Sequence, residues 1–440
     1  MSGPGQWWKR LPSSWQLKPL KAVASYVVSN VDKVPADDES PVRLCNYTDV
    51  YNNEFINSSI ELMRSTATAD EIVKFQLRQD DVVITKDSEA WDDIGIPALV
   101  TAATDDLVCG YHLAILRPIR KVVRGRFLFR CLQAKAIRVQ LEVAATGITR
   151  FGLSKDDIGR LLIPVPPLSH QERITTYLDI ETERIDSLIA AKEAMLSLAA
   201  EKRTALVSRL VTKGVGPRAR LKPSGLEWLG EIPQEWDIMR LKHFAQIGNG
   251  STPDRENAEY WEGGSYPWLN SSVVNDRPVQ SASRYVTQAA LSECHLPQVE
   301  APALLVAITG EGKTRGKTTV LEFEATINQH LAFVKPKPPV ADCFYLSYLL
   351  DTAYGFLRSE SDSAGSTRGA ITCEELGNFR VPLPPLGEQR TIVHAISERE
   401  AQFRRLQQDL QRSIDLLSGR RQALITAAVT GRLEREEMPR

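Results

Sequence analysis

The sequence IPVPPLSHQERI at residues 163–174 returns as VPLPPLGEQRTI at residues 381–392, 218 positions later. The same offset relates the flanking residues without a gap. Identical residues at this offset include Gly147, Thr149, Arg150, Gln171, Arg203, Leu206 and Thr212 and their counterparts Gly365, Thr367, Arg368, Gln389, Arg421, Leu424 and Thr430. Because so long a register is hard to reach by chance, the chain contains two copies of one module, far longer than the roughly 20–50 residues of a solenoid repeat.

Two further echoes extend the repeat. WWKRLPSSWQLKPLK at residues 7–21 resembles EWLGEIPQEWDIMRLK at residues 227–242 at an offset of 221. HLAILRP at residues 112–118 resembles HLAFVKP at residues 330–336. Because the first of these offsets differs from 218, the segments between the echoes differ slightly in length.

A long helix is predicted after each proline segment. Proline fixes φ and lacks an N–H, so the proline segments themselves cannot lie inside a helix. Residues 170–213 contain neither proline nor glycine. Apolar residues recur there three or four positions apart, which is typical of an amphipathic helix, here roughly 66 Å long. The apolar positions are Ile174, Tyr177 or Leu178, Ile185, Leu188 or Ile189, Met195 or Leu196, Ala199, Leu206 and Leu210, and in the second copy Ile392, Ile396, Phe403, Leu406, Leu410, Ile414, Leu417, Leu424 and Ala428.

The apolar stripe of each helix needs a surface to cover it. Duplicated helices carry complementary spacing, and only a partner of equal length covers a whole stripe. The pattern therefore predicts that the two helices pack on each other as a coiled-coil-like stem. The alternative is that each stripe only covers its neighbouring domain.

The regions before the helices are predicted to be α+β domains. Short runs rich in β-branched residues are separated by Gly, Asn, Asp and Pro, which is typical of strands and turns. Such runs lie at residues 80–86, 112–118, 303–310, 317–323 and 330–336. We predict domains at residues 1–162 and 216–380, proline-plus-helix segments at residues 163–215 and 381–433, and a tail at residues 434–440.

Composition is typical of an intracellular protein. The formal net charge is -1, so no overall basic excess indicates a nucleic-acid partner. The six cysteines are scattered without a CxxC pair, which favours reduced thiols. The sequence shows no signal-peptide core and no stretch near the roughly 18 uninterrupted apolar residues of a membrane helix. We expect a cytoplasmic location and no membrane partner.

Catalytic motifs are absent from the sequence. GEGKTRGKT at residues 310–318 resembles a P-loop, but Glu311 occupies the position that requires glycine. His112 and His330 share one repeat position, yet no nucleophile or second ligand accompanies them, which favours structural histidines. With no grouped nucleophile, base and stabiliser, we expect a chain that is not an enzyme and binds no metal.

Polar and basic loops are the candidate binding residues. Residues 117–130 carry six cations and no acid, a patch suited to phosphates. Ser, Thr, Asn, Lys and Arg are side chains that contact base edges and phosphates. The alternative for any one loop is a solvated turn. The candidates are Arg120, Lys121, Arg124 and Arg126 in the first half and Ser251, Thr252, Asn270, Ser271, Ser272, Lys313, Arg315 and Lys317 in the second, the last three predicted to be presented together.

Several segments together resemble the specificity subunit of Type I restriction-modification systems. These are the two proline segments, the helix ends LVSRLVTKG and LITAAVTGRL, and the linker SGLEWLGEIPQEW. RLCNYTDVYNN at residues 43–53 and GNGSTPDRENAEYWEGG at residues 248–264 resemble the openings of that family's target recognition domains. The resemblance covers essentially the whole chain.

The resemblance implies an α+β fold in which two α/β target recognition domains are joined by two long antiparallel helices with an internal pseudo-twofold repeat. Each domain would read one half of a bipartite, asymmetric site in double-stranded DNA. Two methyltransferase subunits would dock on the helices, with two restriction subunits where the system has them. S-adenosylmethionine would be held by the methyltransferase, and ATP and Mg by the restriction partner. The chain itself would hold no cofactor.

The resemblance also implies DNA contacts in the first domain. Asn46, Tyr47 and Thr48 are candidates for base or backbone contact. Arg150 and Arg368, at matched positions, are phosphate ligands or fix each domain on its helix. Two other functions remain open: the DNA-reading subunit of a related fused nuclease and methyltransferase system, and a scaffold that binds no DNA.

Overall fold

The chain forms two compact units. The computed structural model describes residues 11–216, 220–310, 313–363 and 369–433. Unit 1 comprises Met1–Ala194 with Leu410–Arg440, and unit 2 comprises Met195–Asp409. Each unit therefore combines one globular domain with the first part of one long helix and the last part of the other. Both units mix strands and helices, which confirms the predicted fold class.

Unit 1 alternates short strands with short helices before the first long helix. The strands are β1 Gln16–Pro19, β2 Ala24–Val28, β3 Ser40–Cys45, β4 Phe55–Ile56, β5 Met63–Ala67, β6 Val82–Thr85, β7 Asp87–Ser88, β8 Pro97–Val100, β9 Leu107–Cys109, β10 Leu113–Pro118, β11 Phe151–Gly152 and β12 Leu162–Val165. The helices are α1 Tyr47–Asn52, α2 Ala69–Phe75, α3 Gly125–Gln133, α4 Lys135–Ala144, α5 Lys155–Arg160 and α6 Leu168–Lys213.

Unit 2 has the same plan. The strands are β13 Leu221–Leu226, β14 Leu229–Pro233, β15 Asp237–Arg240, β16 Ala245–Asn249, β17 Tyr266–Leu269, β18 Arg284–Val286, β19 Ala303–Ala307, β20 Thr318–Leu321, β21 Thr326–Ile327, β22 Leu331–Pro336 and β23 Arg380–Leu383. The helices are α7 Leu241–Phe244, α8 Gln288–Glu293, α9 Cys343–Thr352, α10 Tyr354–Ser363, α11 Cys373–Asn378 and α12 Leu386–Val429.

A sheet with two apolar faces organises each unit. In unit 1 its order is β2-β10-β6-β8-β4, and in unit 2 it is β16-β22-β19-β20. Side chains alternate between the faces of a strand. Ile115 of β10 therefore packs with the smaller sheet β5-β3-β9, whereas Leu116 packs towards the helices. In the same way, Phe333 and Val334 of β22 point to opposite faces of the sheet and pack in two different cores of unit 2. The repeated HLA segments are thus the strands that form both cores.

The proline segments are strands, and each pairs with the tryptophan segment that opens its own domain. In unit 1, Gln16 of β1 lies opposite Val165 of β12. In unit 2, Asp237 of β15 lies opposite Leu383 of β23 in the same antiparallel manner. The two repeated segments therefore form one structural element per unit, although their sequence offsets differ. The predicted boundaries at residues 162 and 380 fall within or beside these strands.

One glutamine in each unit holds the long helix to the domain. Gln171 Oε1 accepts a hydrogen bond from the Arg124 N–H at 2.9 Å, and its Nε2 donates to the carbonyls of Val122 and Pro166 at 2.9 Å each. Gln389 repeats all three bonds in unit 2, to the Asp342 N–H at 2.8 Å and to the carbonyls of Val340 and Pro384 at 3.1 and 2.8 Å. Both glutamines are fully buried.

The last part of α6 belongs to unit 2 and packs within it. Gly214 follows α6 at φ 75°, and a Cβ there would lie 2.7 Å from Glu388 Oε1 and 3.4 Å from the Trp236 ring. Trp236 is fully buried and donates its Nε1–H to Glu388 at 3.0 Å. Within unit 2, Arg203 of α6 contacts Glu400 of α12. The later α6 residue thus meets the earlier α12 residue, so the helices run antiparallel there, as predicted.

The apolar stripes are only partly covered. Ile174, Leu178, Ile392 and Ile396 are buried near the helix starts, as their spacing predicts. Further along, Ile185, Ala199, Leu210, Leu410 and Ile414 of the predicted stripes are also buried, whereas Leu188, Met195 and Leu406 are 41–52% exposed. Three apolar residues outside the predicted stripes, Ile180, Leu198 and Leu416, are 49–66% exposed.

Replacing Gln171 by leucine should destabilise the protein by about 2–4 kcal/mol, because one buried N–H and two carbonyls lose the side chain that binds them. Urea unfolding followed by circular dichroism would measure the change. Gln408→Leu is the matched control, since Gln408 is exposed on α12 and should change stability by less than about 0.5 kcal/mol. Equal effects of the two changes would contradict the structural role of Gln171.

Candidate nucleic-acid interface

In unit 2, polar residues gather at one edge of the sheets. Asn249 at the end of β16 lies opposite Ala332 of β22, and Ala307 at the end of β19 lies opposite Leu331. The end of β17 joins the same edge, because the Asn328 N–H donates to the carbonyl of Leu269. Loops that are far apart in sequence therefore meet at these strand ends.

A chain of hydrogen bonds links the side chains at this edge. Thr252 Oγ1 donates to Gln329 Oε1. Gln329 Nε2 lies 3.3 Å from Nε2 of His330, and His330 Nδ1 lies 2.7 Å from Thr309 Oγ1. These four side chains present several donors and acceptors together, which is the chemistry that pairs with base edges. Ser251, the neighbour of Thr252, contributes its backbone, donating its N–H to Ile327 and accepting from Trp268 Nε1.

Asn270 begins a short 3-10 helix at the same edge. Its Oδ1 accepts from the Ser272 N–H at 2.9 Å and from the Ser272 hydroxyl at 2.6 Å. Ser271 opens that helix, Ser271–Asn275. Lys317 Nζ donates to Asn275 Oδ1 at 3.0 Å, so its charge is held beside this helix.

The predicted basic turn does not present its three cations together. Lys313 is exposed and Lys317 half-buried, but Arg315 is only 3% exposed. The cause is α10, which covers the turn: the Tyr354 hydroxyl donates to the Lys313 carbonyl at 2.8 Å, and its ring lies against Gly316. The prediction that Arg315 is presented at the surface is therefore wrong, whereas Lys313 stays a candidate phosphate contact.

In unit 1, Asn46 occupies the place that Asn270 has in unit 2, directly after a strand and before a short helix. Asn46 is 6% exposed, and its N–H donates to Asp49 at 2.7 Å. Thr48 is exposed. Tyr47 is half-buried and its ring stacks on Tyr51 at 5.7 Å. Asn46 thus orders the start of α1, while Tyr47 and Thr48 reach the surface.

The acidic loop of residues 86–95 lies beside Tyr47. Burial raises the pKa of Tyr47, and a hydrogen bond with Ser88 opposes that rise. Arg150 is exposed and close enough to act electrostatically on Tyr47, and the strand after it, β11, pairs with β7 of the loop. The structure therefore brings Tyr47, Arg150 and the acidic loop together. Arg368, its repeat partner, lies outside the described residues.

The matched histidines contact different residues in the two units. His112 Nδ1 lies 2.6 Å from Asp87 Oδ2, where His330 has Thr309. Burial would raise the pKa of Asp87, but hydrogen bonds from Lys86 and His112 outweigh it and lower that pKa. Both histidines form hydrogen bonds with neighbouring side chains, which agrees with the structural role that the sequence indicated. The partner group differs between the units.

The basic segment of unit 1 faces carboxylates. Arg124 contacts Glu172 of α6 at 2.9 Å, and Arg126 contacts Asp179 of the same helix. Arg120 lies 3.4 Å from Asp80, while Lys121 is exposed. The segment therefore fastens the domain to α6, and the prediction of an uncompensated patch is wrong. DNA contact by these four side chains stays a prediction.

Two residues of the polar edge, Gln329 and His330, were not among the predicted binding residues. Both follow the buried strand β21 and precede β22, so the signal was a polar NQH triplet between two apolar runs. The order of the strands, which brings this triplet beside Thr252 and Thr309, cannot be read from the sequence.

Across the described parts of the chain, no group of three or more His, Cys, Asp or Glu residues could hold a metal ion. No described helix is long and apolar enough to cross a membrane. The cysteines are free, and burial raises the pKa of the Cys343 thiol to about 12.

Comparison with known proteins agrees with the repeat. The family model described as "Type I restriction modification DNA specificity domain" matches residues 12–196 and again residues 233–414. The chain is 21% identical to the type I restriction enzyme MjaVIII specificity subunit of Methanocaldococcus jannaschii, over 88% of this chain and 86% of that one. It is 26% identical to the EcoR124I/EcoR124II specificity subunit of Escherichia coli, over 42% and 45% of the two chains.

The fold is also similar to that of a solved chain from a type I R-M system studied for complex assembly and conformational transition. The TM-score is 0.73 at 20% identity, and the match covers 96% of this chain and 100% of the other. At this identity the likeness concerns the fold, and it agrees with the two-unit architecture described above.

Arg315→Ala should lower the melting temperature by about 4 °C or more, because it removes a buried side chain whose truncation costs roughly 1–3 kcal/mol. Lys313→Ala, two residues away and exposed, is the matched control and should leave the melting temperature unchanged. Differential scanning fluorimetry would measure both. Equal melting temperatures would contradict the burial of Arg315.

Proposed function

The chain belongs to the family of Type I restriction modification DNA specificity domains, and from that premise we propose that it is the subunit that reads a bipartite, asymmetric DNA site. It performs no chemistry itself. It presents two different DNA-reading edges on one repeated frame and carries the methyltransferase subunits that modify the site. We place it in the cytoplasm with its DNA.

One observation carries the proposal: the frame repeats while the edge does not. Gln171 and Gln389 make the same three hydrogen bonds at matched positions. The histidines at the edge, His112 and His330, face a carboxylate in one unit and a hydroxyl in the other. A carboxylate only accepts hydrogen bonds when ionised, whereas a hydroxyl also donates. Two such edges would prefer different base patterns, as an asymmetric site requires.

The side chains at the edges suit base contact more than bulk charge attraction. Thr252, Asn270 and Gln329 offer neutral donors and acceptors, and Lys317 adds a cation beside the short helix that Asn270 begins. The formal net charge of -1 means that non-specific attraction to phosphates is weak at the level of the whole chain. This supports a subunit that binds DNA with partners rather than alone.

The exposed apolar residues of the long helices support the partner proposal. In unit 2, Leu198 and Leu406 are 49% and 41% exposed. Clustered apolar exposure on a soluble protein often marks an interaction surface. We assign these surfaces to two methyltransferase subunits, one for each unit, with S-adenosylmethionine bound in the methyltransferase. Restriction subunits with ATP and Mg would join through the same assembly.

Deleting the gene and comparing genome-wide DNA methylation before and after tests the function. The expected result is the loss of N6-methyladenine at one bipartite motif, restored by the wild-type gene. An unchanged methylome would sink the proposal and favour a scaffold that binds no DNA. If a motif is lost and the neighbouring gene encodes a fused nuclease and methyltransferase, the chain belongs to that related system.

Leu198→Lys and Leu406→Lys should each weaken assembly with the methyltransferase by tenfold or more, since each buries a charge in an apolar contact. Titration of the labelled full chain with purified methyltransferase would measure the affinity. Thr204→Lys adds the same charge at an exposed position on a different face of α6 and serves as the control. Unaltered affinity for both leucine variants would show that the methyltransferase docks elsewhere.

A further inference from the structure

Unit 1 contains a polar cleft of about 730 Å³ close to its candidate edge. Neighbouring strands β3 and β5 contribute Arg43 and Arg64, and the start of α1 contributes Thr48. Lys33 and the segment of residues 60–64 complete the lining. The volume lies within the roughly 300–1,000 Å³ range of small-ligand sites, which is large enough for one nucleotide unit.

Two arginines stand directly opposite each other in this cleft. Arg43 of β3 and Arg64 of β5 are a cross-strand pair, and like charges in that relation are destabilising. Asp106 relieves the charge of Arg43, with both contacts at 2.9 Å, and the hydrogen bond from Arg43 lowers the pKa of Asp106 to about 2. Among the described residues, no carboxylate forms an ion pair with Arg64, which is exposed. An anionic ligand would relieve this second charge.

The cleft is continuous with the edge described above. Lys33 Nζ lies 5.8 Å from the centroid of the Tyr111 ring, and that ring lies 3.9 Å from the His112 ring. Lys33, which is exposed and lines the cleft, therefore connects it with the ring beside His112.

Two carboxylates also line the cleft. Asp49 is engaged, since it accepts the Asn46 N–H at 2.7 Å at the start of α1. Glu61 is exposed at the rim. Because the Glu61 carboxylate repels an anion in the cleft, removing its charge should strengthen anion binding.

We propose that this cleft binds the sugar–phosphate backbone of the target DNA at the half-site read by unit 1. Lys33 and Arg64 contact phosphate, the Thr48 hydroxyl donates to a phosphate oxygen, and the exposed Met63 packs on the sugar. The proposal rests on the proposed function and names a source of phosphate contacts for unit 1, in which the loop at residues 86–95 is acidic.

The test measures the affinity of the full chain, together with its methyltransferase, for a DNA duplex at several salt concentrations. The duplex carries the motif that the methylome comparison identifies. Lys33→Ala and Arg64→Ala should each weaken binding severalfold and reduce the slope of log affinity against log salt by about 0.9. Arg64→Lys should retain the slope, and Glu61→Gln should tighten binding. Lys21→Ala removes the same charge at an exposed position outside the cleft and should change neither quantity.

The outcomes separate the cleft from the proposed function. Unchanged slopes for both alanine variants would overturn the proposal that the cleft binds DNA. The proposed function would still stand if the wild-type cells methylate a bipartite motif. A relaxed base preference in one half-site with an unchanged slope would show that the cleft reads a base, which also overturns the backbone assignment. Melting temperatures equal to wild type would show that the variants fold, and a variant that melts early would be replaced by its Gln counterpart, Lys33→Gln or Arg64→Gln. Absence of any motif in wild type would refute the function itself.

Discussion

The architecture depends on one buried amide in each unit. Gln171 and Gln389 each bind a backbone N–H and a carbonyl in the loop before a packed helix, and a second carbonyl directly after the proline strand. Leaving a buried backbone group unpaired costs about 1–3 kcal/mol, so a single side chain sets the direction in which each long helix leaves its domain. Glutamate could not replace it, because a carboxylate cannot donate to the two carbonyls.

A constant frame leaves the edges free to differ. The paired strands β1–β12 and β15–β23 and the glutamine contacts hold each unit together through buried groups. The polar side chains at the strand ends, such as the half-buried Thr252 and the exposed Gln329, contribute little to the cores. Substitution at an exposed site away from special features changes stability by about 0.5 kcal/mol or less. A new DNA preference can therefore arise at the edge without disturbing the fold.

Sequence patterns predicted the elements of the fold better than the contacts of the charged residues. The long helices, the repeated strands and the α+β class were all confirmed, because apolar period and proline chemistry act locally. The basic segment around Arg124 and Arg126 was misjudged, since the acids that face it, Glu172 and Asp179, lie about fifty residues later on α6. The prediction for Arg315 was wrong for the same reason. Tyr354 of α10, the helix that covers this turn, lies about forty residues later in the sequence.

The sequence by itself determined that the chain is a duplication, where its two long helices lie, and which family it resembles. These follow from local chemistry: proline excludes helix, apolar spacing selects it, and identical residues at one offset mark a repeat. Only the tertiary structure decided which polar residues share an edge and which cations remain unpaired. That depends on strand order and on contacts across long sequence separations, as when Arg43 meets Arg64 across β3 and β5, and no local pattern encodes such a meeting.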